Sequence, residues 1–349
     1  MSAPDRAASL DLRPQDITIA VTVYSRREFV LGAIQSALDQ SVPVKVIVVE
    51  DCGPDATLRD LVLREFGSRI EYFRNPRNRG LFDNWNACLD YCRTPWISIL
   101  HDDDLLRPVF VEAMLDLANA APGRPLYFGR SSLFSGDVVA SPAPALHCPQ
   151  NWRDFDLAVM ADESPGFFPG QLLRVEAARA LGGFKTASYF TGDWDMWFRL
   201  ALRFGASQTA TEVAMARSHF GEDRGTSRVE RKGWKWALDN VQRKRNLALL
   251  RREKGIAIPF DRVKLLQRSP IPSALLLRHV DEFSGRILRY NAWLLTHSKA
   301  PHLKYSALQC LVRLLGPGVM PKIQRLFRFL QPKPPRSKTG PAVACRIRG

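Results

Sequence analysis

Trp96-Ile97-Ser98-Ile99-Leu100-His101-Asp102-Asp103-Asp104-Leu105-Leu106-Arg107-Pro108 is the stretch on which the fold turns. Trp96 to Leu100 is apolar but for Ser98, so it reads as a buried strand, as in a parallel sheet covered on both sides. Three carboxylates follow it at once. In open α/β sheets ligands collect beyond the carboxyl ends of the strands, so an acidic cluster at that place is positioned for a ligand.

The same grammar repeats upstream. Ile17 to Val23 is a β-branched run, followed by Tyr24, Ser25 and Arg26 and then by helical spacing through Phe29, Ala33, Ile34, Ala37 and Leu38 between Glu28 and Asp39. Val44 to Val49 is a second buried strand; it ends in the acidic turn Glu50-Asp51-Cys52-Gly53-Pro54-Asp55, which opens a helix from Thr57 to Phe66. A third strand, Ile70 to Arg74, leads through the polar loop Asn75 to Gly80 into a helix around Asn84 to Tyr91. Strands alternating with helices predict an α/β fold, a doubly wound sheet with right-handed crossovers. Downstream the pattern predicts a helix over Val109 to Ala120, a strand over Leu126 to Phe134, a Pro-rich loop from Ser141 to Pro149, and an irregular segment from Pro165 entering a strand by Leu173. A short helix, Val175 to Ala180, is ended by Gly182-Gly183, and Asp193 to Phe204 is amphipathic.

Bulk properties restrict the class. The 349 residues are 46% hydrophobic, and no run approaches the ~18 apolar residues that span a bilayer. Met1 to Gln15 lacks an apolar h-region, so a signal peptide is not expected and cytoplasmic residence follows. Six cysteines without a secretion signal predict free thiols; Cys88 and Cys92 lie four apart, with no second pair or His nearby to complete a zinc site. Charge is divided unevenly. Residues 1–230 hold 24 Lys/Arg against 30 Asp/Glu, a balance of −6, whereas residues 231–349 hold 26 against 5, a balance of +21. Such asymmetry predicts a near-neutral catalytic body carrying a basic module.

Chemistry concentrates at the strand ends. Three adjacent carboxylates repel one another, and a divalent cation offsets that cost; oxygen ligands suit Mg²⁺ or Mn²⁺. The plain alternative is a solvated turn or a helix cap. Glu50-Asp51 can accept hydrogen bonds from a base or a ribose hydroxyl, and the absence of G-x-G-x-x-G after the first strand argues against a dinucleotide enzyme. Asn75, Arg77, Asn78 and Arg79 supply donors for phosphate or ribose oxygens.

Taken in order, these pieces resemble family 2 glycosyltransferases. Thr22, Tyr24 and Arg26 match the family's Thr-Tyr-Asn-type turn, and Val48-Val49-Glu50-Asp51-Cys52-Gly53 its Val-Val-Asp-Asp-Gly-Ser-type strand end. Asn75 to Gly80 resembles the Asn-x-Gly segment, and Leu100 to Pro108 the D-x-D signature with its trailing Pro. Gly182-Gly183-Phe184, with Gly192-Asp193-Trp194-Asp195-Met196-Trp197-Phe198-Arg199, resembles the acceptor-side Gly-Gly-Phe and Glu-Asp-x-x-x-x-x-Arg elements. The likeness runs from about Ile17 to His219. Gly192, Trp85 and Cys52 depart from the family's usual Glu, Arg and Gly.

The resemblance implies a GT-A type, mostly parallel sheet flanked by helices and an inverting transfer of a sugar from a UDP-, dTDP- or GDP-sugar to an acceptor hydroxyl. It implies donor-nucleotide contacts from Thr22, Tyr24, Arg26, Asp51, Asn78, Asp102 and Asp103, and a divalent metal on Asp102 and Asp104, with His219 as a further ligand. It makes Asp193 the general base and places Trp194, Trp197 and Arg199 on the acceptor and sugar side. The acceptor it suggests is a lipid-linked or polysaccharide glycan of the bacterial cell surface. A Mg²⁺-dependent nucleotidyltransferase and an inactive membrane scaffold are the competing readings.

Four segments are expected: an extension (1–15), a catalytic domain (16–228, with a donor half to 108 and an acceptor half from 109), a basic α-helical region (229–330) and a disordered basic tail (331–349). In the basic region Trp234, Trp236, Trp293, Phe327 and Phe329 interleave with Lys and Arg, a pattern suited to lying on an anionic membrane surface or to packing on the catalytic body. No nucleic-acid recognition motif is present, so no such partner is expected.

Overall fold

The computed structural model describes residues 12–136, 147–185, 191–218 and 234–256, all within one compact unit, Met1–Ser269. Its centre is β1 (Ile17–Val23), whose seven residues are all buried because the strand is paired on both edges and covered on both faces. Parallel partners flank it: β2 (Lys45–Glu50) on one side and β4 (Trp96–His101) on the other, with β3 (Glu71–Arg74) beyond β2. Between the strands run α1 (Arg27–Leu38), α2 (Leu58–Phe66) and α3 (Leu81–Tyr91).

The two-residue period of a strand sorts side chains between two cores. Ile17, Ile19, Val21, Val46 and Val48 join Val30 and Ile34 of α1, Val62 and Phe66 of α2, and Met114 and Leu117 of α4 (Phe110–Ala120). Ala20, Ile47, Val49, Ile97 and Ile99 face the other way, onto Trp85 and Leu89 of α3. That second core also takes in Ala178 of α6 (Val175–Ala180), Trp197 and Phe198 of α7 (Gly192–Phe204) and Leu250 of α8 (Trp234–Lys254).

Beyond β4 the sheet changes direction. The full order is β3-β2-β1-β4-β8-β6-β9-β5, with β7 also on β9. Strand β8 (Gln171–Arg174) inserts antiparallel between β4 and β6 (Leu126–Phe134), and β9 (Ser207–Arg217) runs parallel to β6. The short β5 (Leu105–Leu106) and β7 (Trp152–Asp154) pair antiparallel with β9. The sheet is therefore parallel where the donor half was read and mixed in the acceptor half. Strands β5, β7 and β9 and the helix α5 (Leu157–Asp162) were not anticipated. Strand β9 is composed largely of Ser, Thr, Ala and Gln, so its inward residues carry little hydrophobic signal although six of its eleven residues are buried.

The expected Ser141 to Pro149 loop lies mostly outside the described residues. So do residues 1–11, His219, Trp293, Phe327, Phe329 and the tail 331–349. Cysteines 52, 88, 92 and 148 are free thiols, as expected, and Cys88 sits in the second core, where burial pushes its thiol far up. Among the described residues no helix is long and apolar enough to cross a membrane.

Register fixes what meets at the carboxyl edge. Val23 pairs with Glu50, Glu50 with Arg74 and Thr22 with His101, so the residues that follow β1, β2, β3 and β4 emerge side by side. Two backbone details allow this crowding. A Cβ on Gly53 would collide with the Tyr24 carbonyl, so only glycine lets the two turns approach. Next to it Cys52 adopts φ +50°, the left-handed region that costs a side-chain-bearing residue about 1–2 kcal/mol. Cys52→Gly is accordingly expected to raise the urea midpoint by an equivalent of about 0.5–1 kcal/mol, strain relief less the greater entropy of unfolded glycine. A lower midpoint would mean that the Cys52 Sγ contacts with Pro76 and Arg74 outweigh the strain.

Candidate active site

The three aspartates closing β4 are each only 5% exposed, so their charges must be met by the protein or by a ligand. Arg26, at the start of α1, supplies one answer. Its Nη1 lies 3.0 Å from Asp102 Oδ1 and 2.8 Å from Asp103 Oδ1. The Tyr24 amide adds a long bond to Asp102 Oδ2, 3.4 Å. Thr22 is buried and donates to the Leu100 carbonyl at 3.3 Å, tying β1 to the strand that carries the cluster.

Asp104 is held differently. Its Oδ1 accepts from the Arg217 amide at 2.9 Å, and its Oδ2 lies 3.3 Å from His101 Nδ1. Arg217, at the end of β9, also donates through Nε to the Asp103 carbonyl at 2.9 Å, with its guanidinium between the rings of Phe29 and Phe134. Burial pushes the Asp102 carboxyl up to about 6 despite Arg26, and burial raises Asp104 as well. Burial works against a charged His101 ring, but the neighbouring Asp104 and Asp103 prevail and raise it. Burial is thus the main cause that disfavours the ionised carboxylates of Asp102 and Asp104.

His101 is stacked on Phe168, ring centroids 4.2 Å apart, and beyond it on Trp85 at 5.6 Å. Its Nε2 is buried without a hydrogen-bond partner. Among the described residues, His101, Asp103 and Asp104 form the group whose ligand atoms all lie within 4.8 Å of one another. One imidazole nitrogen and two carboxylates make a donor set that fits Mn²⁺ or Mg²⁺, with nitrogen leaning toward the softer Mn²⁺. The sequence pointed to Asp102 and Asp104 as the metal pair. The structure groups Asp104 with Asp103 and the unanticipated His101, and places Asp102 and Asp103 alike on Arg26. A histidine two residues before one aspartate and three before another, at a strand end, was the signal that went unread.

The second strand end is a hydrogen-bond hub. Asp51 Oδ1 accepts from Asn75 Nδ2 at 2.9 Å and from the Arg79 amide at 2.8 Å, and its Oδ2 accepts from the Gly80 amide at 2.9 Å. Asn78 caps the same turn through a 2.8 Å bond from the Gly80 amide. Asp51 therefore shapes the donor loop whatever else it holds. Glu50 is fully buried; it accepts from the Tyr72 hydroxyl at 2.7 Å and the Gly53 amide at 3.0 Å and pairs with Arg74. Burial and the Glu50 contact push the Tyr72 phenol far up, so it acts as a donor only.

On the acceptor side the Gly-Gly-Phe turn is docked from two directions. Asn86 of α3 bonds the Phe184 amide (2.8 Å) and carbonyl (2.9 Å), and a Cβ on Gly183 would strike the Asn86 amide. Arg199 bonds the carbonyls of Leu181 and Gly183, both at 2.8 Å, and pairs with Asp195 at 2.8 Å. A Cβ on Gly192 would run into the Phe82 ring, which explains why no larger residue stands there. Asp193 follows in the first turn of α7, partly exposed, with Oδ1 accepting from the Trp194 amide at 2.7 Å.

Three residues expected on the sugar side lie elsewhere. Trp194 is 3% exposed and donates Nε1 to the Met160 carbonyl at 2.7 Å. Trp197 is fully buried against Phe128 and Phe168. Both indoles are packed in the core with no open face for a sugar, because α7 buries most of its circumference rather than one stripe. Arg199 spends its guanidinium on the turn and on Asp195.

Residues 18–130 match the sequence model described as Glycosyl transferase family 2, across the donor half that holds Thr22, Asp51 and the aspartate triplet. That stretch of the chain is thus similar to a glycosyl transferase family 2 domain. Over 107 residues it is 38% identical to the succinoglycan biosynthesis protein ExoO of Rhizobium meliloti (strain 1021), 30% of each protein's length. The chain thus spans less than a third of that relative. Solved glycosyltransferase structures share the fold. S. aureus TarS 1–349 in complex with UDP-GlcNAc superposes at TM-score 0.50, with 14% identity over 79% of this chain and 83% of that one. The mannosyltransferase PcManGT from Pyrobaculum calidifontis, in complex with GDP-Man and Mn²⁺, also gives 0.50, with 15% identity over 94% and 87%. The fold is thus of GT-A type, a helix-flanked sheet rich in parallel strands.

Proposed function

We propose that this chain is an inverting, metal-dependent glycosyltransferase, moving a sugar from a nucleoside diphosphate to an acceptor hydroxyl. The observation that carries the reading is the buried carboxylate cluster at the end of β4, aligned by register beside Asp51 and the donor loop. A nucleotide needs both features together, one for its base and ribose and one for its charged diphosphate. That solved relatives in fold hold UDP-GlcNAc, and GDP-Man with Mn²⁺, supports the same assignment.

His101, Asp103 and Asp104 would hold the cation, Mg²⁺ or Mn²⁺. When bound, it supplies positive charge where the leaving diphosphate becomes anionic. Arg26 bridges Asp102 and Asp103 through one nitrogen and offsets their repulsion, and Asp102 is left for a ribose hydroxyl. Tyr24, 45% exposed at the end of β1, and Asp51 border the base, with Asn78 in the loop alongside. Of the two acids in the first turn of α7, Asp195 is buried on Arg199 while Asp193 remains partly exposed, so Asp193 takes the acceptor's proton. Attack from that side, opposite the leaving group, inverts the anomeric carbon.

The acceptor we favour is a glycan, free or lipid-linked, in surface polysaccharide synthesis. The name of the R. meliloti relative supports this. The +21 balance of residues 231–349 supports an encounter with such a lipid at the anionic inner face of the cytoplasmic membrane.

A thermal-shift panel of UDP-, dTDP- and GDP-sugars with and without Mn²⁺ tests the reading, because ligands that bind only the native state raise its apparent stability. One nucleotide class should raise Tm only with the metal, and turnover should release nucleoside diphosphate. Release of pyrophosphate would turn the assignment to nucleotidyl transfer, and no shift with any donor would remove it.

A further inference from the structure

The helix after the catalytic body reaches back into it through a side-chain amide. Gln242 of α8 is fully buried. Its Nε2 donates to Asp195 Oδ1 at 3.3 Å and to Asn246 Oδ1 at 2.9 Å, and its Oε1 accepts from Thr191 Oγ1 at 3.2 Å. Thr191 and Asp195 are themselves 5% and 7% exposed. They stand two residues before and two residues after Asp193. Asp195 Oδ2 is taken by Arg199, so Gln242 and Arg199 grip the same carboxylate from opposite sides of the α7 turn.

We infer that Gln242 is a positioning residue for Asp193, and that α8 belongs to the acceptor side of the active site. The inference rests on the glycosyl-transfer reading above. A buried amide satisfied at both ends has one geometry, and losing it takes from buried Asp195 Oδ1 the bond that Gln242 donates. The bond network therefore fixes the turn from which Asp193 must reach the acceptor oxygen, where a displacement of about 1 Å costs ~10²-fold in rate. The nucleotide contacts proposed above follow β1, β2, β3 and β4 and are untouched by it.

The same helix provides its own control. Arg243 pins α8 to α5 instead, donating Nε to the Asp162 carbonyl at 2.6 Å and pairing with the Asp162 carboxylate at 2.8 Å. In the full-length protein, Gln242→Met keeps the volume and removes the bonds. Hydrogen exchange of backbone amides in peptides covering residues 191–199 should then quicken about tenfold. In nucleoside diphosphate release from the donor identified by the thermal-shift panel, kcat should fall ~10- to 100-fold while the donor KM and Mn²⁺ uptake stay at wild type. Arg243→Met should lower Tm comparably yet leave both the exchange of residues 191–199 and kcat unchanged. Equal losses of kcat in the two variants, or wild-type kcat in Gln242→Met, would overturn the inference. If Asp193→Asn is inactive while Gln242→Met is fully active, only this inference falls; if Asp193→Asn is fully active, the general-base reading falls instead.

Discussion

Asp193→Asn is expected to lower kcat by ~10²–10⁴-fold with donor affinity and Mn²⁺ uptake preserved, the range general-base catalysis supplies. Asparagine is isosteric and its Oδ1 can still accept from the Trp194 amide, so the first turn of α7 keeps its local bond while the proton acceptor is lost. The neighbouring acid gives the contrast. Asp195→Asn breaks the pairing with Arg199, which also holds the carbonyls of Leu181 and Gly183, but the new amide's Oδ1 can still accept from Gln242, so it should act mainly on stability. Steady-state kinetics and thermal melting of the two variants separate the roles. Undiminished turnover in Asp193→Asn would end its candidacy.

The second large effect falls on the metal. In the variant carrying Asp103→Asn and Asp104→Asn, Mn²⁺ uptake measured by calorimetry should drop by a factor on the order of 10² or more, and turnover with it. The sign of the stability change is the more telling part. Burial raises the Asp104 carboxyl, so its ionised form is less favourable in the folded chain than in the unfolded one, and a neutral amide removes that cost. The metal-free single variant Asp104→Asn should therefore melt at the same temperature as the parent or higher, while gaining little from added Mn²⁺. Asp102→Asn, which lies outside the group of His101, Asp103 and Asp104, should weaken Mn²⁺ uptake far less. Full uptake by the double variant would show that the cation, if any, binds elsewhere.

Both expectations depend on residues of very different legibility. Asp193 and the aspartate triplet stand out in the chain because three adjacent acids after an apolar run, or an acid opening an amphipathic helix, are local patterns. Which aspartate faces which partner is not local. Arg26 claims Asp102 and Asp103 across 76 and 77 residues, and Arg217 reaches Asp104 across 113 on a strand whose Ser, Thr, Ala and Gln composition hid it. Trp194 and Trp197 misled for a related reason. An aromatic residue beside an active-site acid looks the same in sequence whether its ring is open or buried, and here the covering came from Met160, Phe128 and Phe168 in other elements.

What the chain determined by itself was the donor half: β1 over Ile17–Val23, the β2 and β4 strands within a residue of their ends, and the clusters that follow them. Strand and helix periods are written in neighbouring residues, and the hand of parallel crossovers follows from chain chirality. Only the tertiary structure decided the reversal of the sheet at β8, the choice of His101 and Asp103 with Asp104, and the seating of α8 against α7 through Gln242. Each of those is a contact between residues far apart in sequence, selected by burial and by the need to satisfy buried polar atoms, and neither condition exists until the chain has folded.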